Sequence, residues 1–247
     1  MHVLEGNRFV AFFDLLGFSS WLETEGSLEV FTYVRGFLNL MIRASLPGSV
    51  VHEDMSVTVE TPDIGFINFS DSIVFYSRDD SEQCFQLMLR VCGEFMNGMI
   101  CGPSRMVRGA ISHGEFYADP EANAYVGKAL VDAYRLEGAQ DWLAFSFHDS
   151  ITKLPLFKRA LANHPRLIVP PTVSLRNSDA MPYCLNWADE EFFVGISFNA
   201  RRGLADCCKR GRKSLRGNST EMGKLRRRIK HTSDFLKKNG VTKKPRK

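Results

Sequence analysis

The chain contains no run of about 18 apolar residues, so the ordinary signature of a membrane-spanning helix is missing. It has no Cys-x-x-Cys pair, which removes the commonest zinc and thiol-redox patterns from its six cysteines, Cys84, Cys92, Cys101, Cys184, Cys207 and Cys208. Its six histidines are scattered without metal-ligand spacing. Residues 1–7 include His2 and Glu5 and lack the apolar core of an export signal. No internal repeat is visible. These absences lead to an expectation of reduced thiols and a cytoplasmic protein without a membrane span.

What is present is ordinary globular composition: 247 residues, 44% hydrophobic and 24% charged, enough for one core with an appendage. The net charge of +4 conceals a split. Residues 209–247 hold 16 Lys and Arg against two acids, Glu221 and Asp234, while residues 1–208 carry a net charge of −10. An acidic body therefore bears a very basic C-terminal segment. Residues 224–230, KLRRRIK, suit nucleic acid or an anionic membrane surface. The plainer alternative, which we favour, is a solvated extension docked on the acidic body. Phe235 alone offers an aromatic for base stacking there.

Hydrophobic spacing predicts strands at 9–15, 64–69, 73–76 and 106–117, with weaker ones at 166–171, 182–187 and 192–198. Helical spacing predicts helices at 28–46, 81–99 and 128–138, and a short strand followed by a helix within 141–161. Residues 201–218, rich in Gly, Lys and Arg, read as a loop, 220–236 as a helix, and 239–247 as a frayed end. The order predicts an α+β fold with a mostly antiparallel sheet flanked by helices and a basic C-terminal extension. The expected division is a catalytic domain at 1–200 and a basic loop, helix and tail at 201–247.

Two aspartates stand out. Asp14 falls within an apolar strand, where a lone carboxylate is costly unless paired or bound to metal. Asp71 sits between Ser70 and Ser72 at the tip of an apolar hairpin. Singly, Asp14 could cap the turn at Leu15–Gly17, and Asp71 could be an ordinary turn residue. Together with a later strand Arg108-Gly-Ala-Ile-Ser-His-Gly114, they form a pattern that chance seldom supplies.

Phe12-Phe13-Asp14-Leu15-Leu16-Gly17-Phe18 resembles the first-strand motif of class III adenylyl and guanylyl cyclases. Phe69-Ser70-Asp71-Ser72-Ile73 resembles their metal-binding hairpin, and the Arg108–Gly114 segment their later strand. Gly127-Lys-Ala-Leu-Val-Asp-Ala133-Tyr-Arg135 follows the spacing of their G-x-x-V-N-x-A-x-R helix. The likeness covers residues 8–140, and within the superfamily it is nearest to the Pycsar antiphage cyclases. A diguanylate cyclase shares the palm-related two-metal hairpin but wants a Gly-Gly-Asp/Glu-Glu/Phe signature in place of Phe-Ser-Asp-Ser.

The resemblance implies a class III cyclase-like, ferredoxin-like fold and a homodimer with both sites at the subunit interface. It implies conversion of UTP to 3′,5′-cyclic UMP and pyrophosphate, with CTP to cyclic CMP as the next choice, as a second messenger for a cyclic-nucleotide-responsive effector in antiphage defence. Asp14 and Asp71, with the Leu15 carbonyl, would hold two Mn²⁺ or Mg²⁺ ions about 4 Å apart. Backbone N–H groups of Leu16, Gly17 and Phe18 would cradle phosphates, and Arg108 would bind phosphate. Arg135 would stabilise charge at the α-phosphate, and the ribose contact would be absent or pass to Asp132 or Tyr134. Three departures bear on the substrate: Val131 replaces the ribose-binding asparagine, Ile67 replaces the purine-reading lysine, and Ser70 replaces a glycine. The first two speak against ATP or GTP. His113 reads as a strand-end histidine. The alternatives of a different class are a degenerate cyclase domain that only binds nucleotide, and a non-catalytic nucleic-acid-binding protein that uses its basic tail.

Overall fold

The computed structural model describes residues 3–59, 63–170, 172–189, 199–215 and 217–239. The expected strand at 192–198 and the expected frayed end beyond 239 lie outside the described residues.

Strand β1 (Asn7–Leu15) carries apolar side chains on both faces and lies at the interior of a seven-stranded sheet. It pairs antiparallel with β5 (Ser72–Ser77) on one side and with β6 (Val107–Glu115) on the other. β4 (Ile64–Phe69) closes the β5 edge. Beyond β6 come β9 (Phe145–Phe147), β11 (Cys184–Leu185) and β10 (Ile168–Val169). Only the β6–β9 pairing is parallel among the named pairs. Two small hairpins stand apart: β2 (Ser49–Val51) with β3 (Val57–Val59), and β7 (Tyr117–Asp119) with β8 (Ala124–Val126). The fold is therefore α+β with a mostly antiparallel sheet, as the sequence predicts.

The period-2 alternation of β1 sorts its side chains. Phe9, Ala11, Phe13 and Leu15 face the main core against α4 (Glu82–Cys101). This helix starts where the Ser81 hydroxyl accepts the Cys84 N–H at 3.2 Å, and its apolar face runs through Phe85, Met88, Leu89, Cys92, Phe95 and Met96. The ring of Phe13 packs on Phe75, Phe95 and Phe145 with centroids 5.1–6.0 Å apart. Gly109 on β6 makes room for it, because a Cβ there would lie 2.5 Å from that ring. Val10, Phe12 and Asp14 face the opposite side, where α5 (Lys128–Ala139) crosses the sheet and Val10 packs with Ala129 and Phe116. The predicted helix at 28–46 is a near-continuous run of α2 (Ser27–Tyr33), a π-helical turn (Val34–Leu38) and α3 (Asn39–Ala44), preceded by α1 (Phe18–Glu25). Two short helices, α6 (Asp149–Thr152) and α7 (Pro155–Asn163), follow β9.

The loop expected at 201–218 is wrong. Residues Ala200–Ser214 form α8, and Ser219–Lys238 form α9. The apolar stripe of α8 is thin: Gly203, Leu204, Cys207 and Gly211 are buried, and the basic residues around them obscured its period. The glycines that read as loop signals are contact points. A Cβ on Gly203 would stand 2.8 Å from the Cys101 Cα and the Ile100 carbonyl oxygen. On α9, Phe235 packs edge-on to Trp142 at 5.0 Å, and the Thr232 hydroxyl accepts the Leu143 N–H at 2.9 Å. The segment expected as an appendage thus puts Leu204, Cys207, Leu225, Phe235 and Leu236 into the same core as Phe13. No described helix is long and apolar enough to cross a membrane.

Gly203→Ala should destabilise the protein by about 1–3 kcal/mol, the cost of overpacking a tight contact. Thermal unfolding measures it; an unchanged melting temperature would mean that α8 does not dock on α4.

Candidate active site

The site forms where β1 ends. Asp14 pairs across the sheet with Ser72 on one side and Arg108 on the other. The turn between β4 and β5 brings Asp71 alongside, and the Leu15 N–H donates to the Asp71 carbonyl at 3.0 Å. Ser70 in that turn has φ 59°, the left-handed region that glycine enters most easily. Asp14 retains 25% side-chain exposure. Its pKa is raised, first by burial and then by the charge of Asp71, against the pull of Arg108 and Arg228. The two carboxylates converge closely enough to repel.

Gly17 follows at φ 82°, and its carbonyl accepts the Trp21 N–H at 3.0 Å as α1 begins at Phe18. No atom lies within 4 Å of where a Gly17 Cβ would project, so backbone conformation, not crowding, calls for glycine. The Leu16 N–H is already used, donating to the Met106 carbonyl at 2.9 Å.

Arg108 is neither a surface arginine nor a free one. It is buried, its NH1 donates to the Gln140 carbonyl at 2.7 Å, its Nε donates to Glu137, and its NH2 lies 3.8 Å from Asp14. Glu137 is 2% exposed. Burial pushes its pKa up to about 7 in spite of Arg108, and the charge of Asp14 adds to the rise. Gln140 ties the cluster to the sheet: its side-chain amide donates to the Gly109 carbonyl at 2.9 Å and its Oε1 accepts from Ser146 at 2.7 Å.

Tyr134 packs edge-on to Phe12 at 5.3 Å, on the strand face that carries Asp14. Arg135 lies on the exposed side of α5 and lines a cavity with Asp132, His148, Asp149, Leu175 and Met181. The groups acting on Asp14 are Arg108, Asp71 and Arg228, without Arg135. Two carboxylates that a solvated Arg135 could have paired with are otherwise engaged, Asp132 with Lys128 and Glu137 with Arg108. His113, read as a strand-end surface histidine, lies near the end of β6 but is only 13% exposed, contacting Asp80 at 3.3 Å and Phe9 at 5.1 Å.

Four members of the cluster escaped sequence reasoning: Glu137, Gln140, Asp141 and Arg228. A signal existed for two. Glu137 continues the i, i+4, i+8 series of buried Ala129 and Ala133, and Arg228 shares the inward stripe of Leu225, Thr232 and Phe235.

Among the described residues, no group of three or more His, Cys, Asp or Glu side chains is arranged to hold a metal. Two repelling carboxylates still fit hard divalent cations that arrive with a phosphorylated ligand, because Mg²⁺ is commonly held by one or two carboxylates plus substrate phosphates.

Fold and site together define an α+β domain whose sheet presents two convergent aspartates beside a glycine-turned helix start. No protein-family profile matches the chain, and no curated protein matches it. Among solved structures, the catalytic core of a rhodopsin-guanylyl cyclase with converted specificity, in complex with ATPαS, aligns at TM-score 0.49 and 13% identity, over 75% of this chain and 98% of that one. An adenylate/guanylate cyclase/hydrolase from Silicibacter pomeroyi aligns at TM-score 0.43 and 16% identity, over 74% and 96%. Likeness at that level carries no inference about activity.

The raised pKa of Glu137 has a defined sign. Below the unfolded-state value of 4.5 both states are protonated; as pH rises toward about 7, ionisation favours the unfolded chain. Stability without ligand should fall across that window, and Glu137→Gln should flatten the fall in melting temperature measured from pH 4.5 to 7. An identical slope in the variant would refute the assignment.

Proposed function

We propose that this chain is a class III nucleotidyl cyclase that converts a pyrimidine nucleoside triphosphate, UTP first and CTP second, to its 3′,5′-cyclic monophosphate and pyrophosphate. The observation that carries the reading is the convergence of Asp14 and Asp71 at the end of β1. They are the two carboxylates that the motif resemblance assigns to metal.

In this reading Asp14, Asp71 and the Leu15 carbonyl hold the ions. Divalent metal bound there supplies acidification of the ribose 3′-hydroxyl and neutralisation of the phosphate chain. Gly17 and the N–H groups at the start of α1 receive phosphate oxygens. Arg108 is locked between Glu137 and the Gln140 carbonyl, with one nitrogen left toward Asp14 and the phosphates. Arg135 stabilises charge developing at the α-phosphate. Arg135 lies on the exposed side of α5, a position that suits sites shared between two copies, each lending Arg135 to the other's aspartates. Phe69 at 80% exposure and Tyr134 at 58% leave apolar surface near the site for that second copy. Val131 is exposed on α5, and Ile67 packs with the cluster on the same sheet face. Neither offers a polar edge to a purine, which supports the pyrimidine choice. A second messenger in antiphage defence, read by a cyclic-nucleotide-responsive effector, follows from the resemblance alone.

Incubation with each of the four triphosphates and manganese, with products identified by mass spectrometry, should yield cyclic UMP. No cyclic product from any of them would overturn the reading, and cyclic CMP alone would correct the base.

Asp14→Ala and Asp71→Ala should each abolish turnover, and Arg135→Ala should lower kcat by about 10²-fold. Mixing Asp14→Ala with Arg135→Ala subunits should restore part of the rate, because one of the two shared sites becomes intact. No recovery on mixing would refute shared sites.

A further inference from the structure

We propose that Arg228 of α9 is a second anion-binding cation of the Asp14–Asp71 site, placed to receive the outer phosphates of the substrate, with Arg227 holding α9 in position through Asp141. The inference rests on the triphosphate reading above and gives the basic C-terminal helix a place in the substrate site.

A continuous set of polar contacts joins α9 to the aspartates. Asp14 lies 3.8 Å from Arg108 NH2, and Arg108 NH1 donates to the Gln140 carbonyl at 2.7 Å. The next residue, Asp141, accepts a hydrogen bond from Arg227 Nε and lies 3.4 Å from Arg228 Nε. Helix geometry leaves Arg228 little choice of direction. Thr232, one turn later, is pinned to the bend before β9 by the Leu143 N–H and returns a hydrogen bond to the Arg228 carbonyl at 2.8 Å. Arg226 and Lys230 on the same helix are exposed, whereas the Arg228 side chain is 16% exposed.

Arg228 shares the Asp141 carboxylate with Arg227. Its Nε is buried and makes no hydrogen bond, although Asp141 is within Coulombic range. Asp141 is already engaged by Arg227, and Glu137 by Arg108. Burial and the neighbouring Arg108 charge lower the pKa of Arg228. A buried guanidinium and a mostly buried one that repel beside a metal-type carboxylate pair are best relieved by a polyanion. Forked donors suit phosphate oxygens, and a phosphate chain spanning the site would meet both.

Inorganic tripolyphosphate tests this without any chemistry, by calorimetric titration of the full chain with and without Mg²⁺. Arg228→Met keeps the side-chain stem and should weaken binding at least about tenfold, the scale of one charged hydrogen bond. Arg226→Met, on the exposed side of α9, should bind like the wild type. With UTP, Arg228→Met should raise KM far more than it lowers kcat. If Arg228→Met does not fold, Arg228→Gln gives the same reading. Wild-type affinity in a folded Met or Gln variant would reduce Arg228 to a helix-docking residue and overturn the proposal, as would a wild-type chain that binds no tripolyphosphate. Cyclic product with unaltered KM in the variant would sink this inference and spare the cyclase reading. Arg228-dependent tripolyphosphate binding without any cyclic product would do the reverse.

Discussion

Asp14 is a carboxylate at the end of the strand about which the sheet is assembled, and the surrounding structure answers the cost of placing it there. Arg108 faces it from β6, but that guanidinium is itself held by Glu137 and the Gln140 carbonyl. Asp71 adds repulsion instead of relief. The result is a carboxylate pair whose repulsion is offset only in part by Arg108 and Arg228.

The same reasoning connects the parts that position the site. Phe13, adjacent to Asp14 but on the opposite face, is locked among Phe75, Phe95 and Phe145, so β1 cannot shift its register without losing that packing. The Leu15 N–H ties the strand end to the hairpin carrying Asp71. Gln140 links α5, β6 and β9 through one side chain. Asp14 is therefore carried by a deeply packed strand and Asp71 by the turn tied to it, whereas Arg135 and Tyr134 lie on the exposed side of α5.

The basic C-terminal segment changes meaning once folded. Read as charge, it invites a polyanionic partner. In the fold, Leu204, Cys207, Phe235 and Leu236 anchor it in the core, and Arg227 and Arg228 turn toward Asp141. The segment is thus part of the main core, not the solvated extension expected at the outset.

By itself the sequence determined the α+β class, the central strand, the Asp71 hairpin, α4, α5 and the two aspartates, because each rests on local period or turn chemistry. It failed at 201–218, where two buried glycines looked like a loop until α4 was present to receive them. It missed Glu137, Asp141 and Arg228 as site members. Charged residues on helices are ordinarily solvated, and nothing local says which of them will be pressed against a strand far away in the chain. Only tertiary structure decided that Arg108 is held by Glu137 instead of lying free, and that the basic helix turns two of its arginines toward the site. Those outcomes depend on burial, and burial is a property of the assembled sheet and its covering helices.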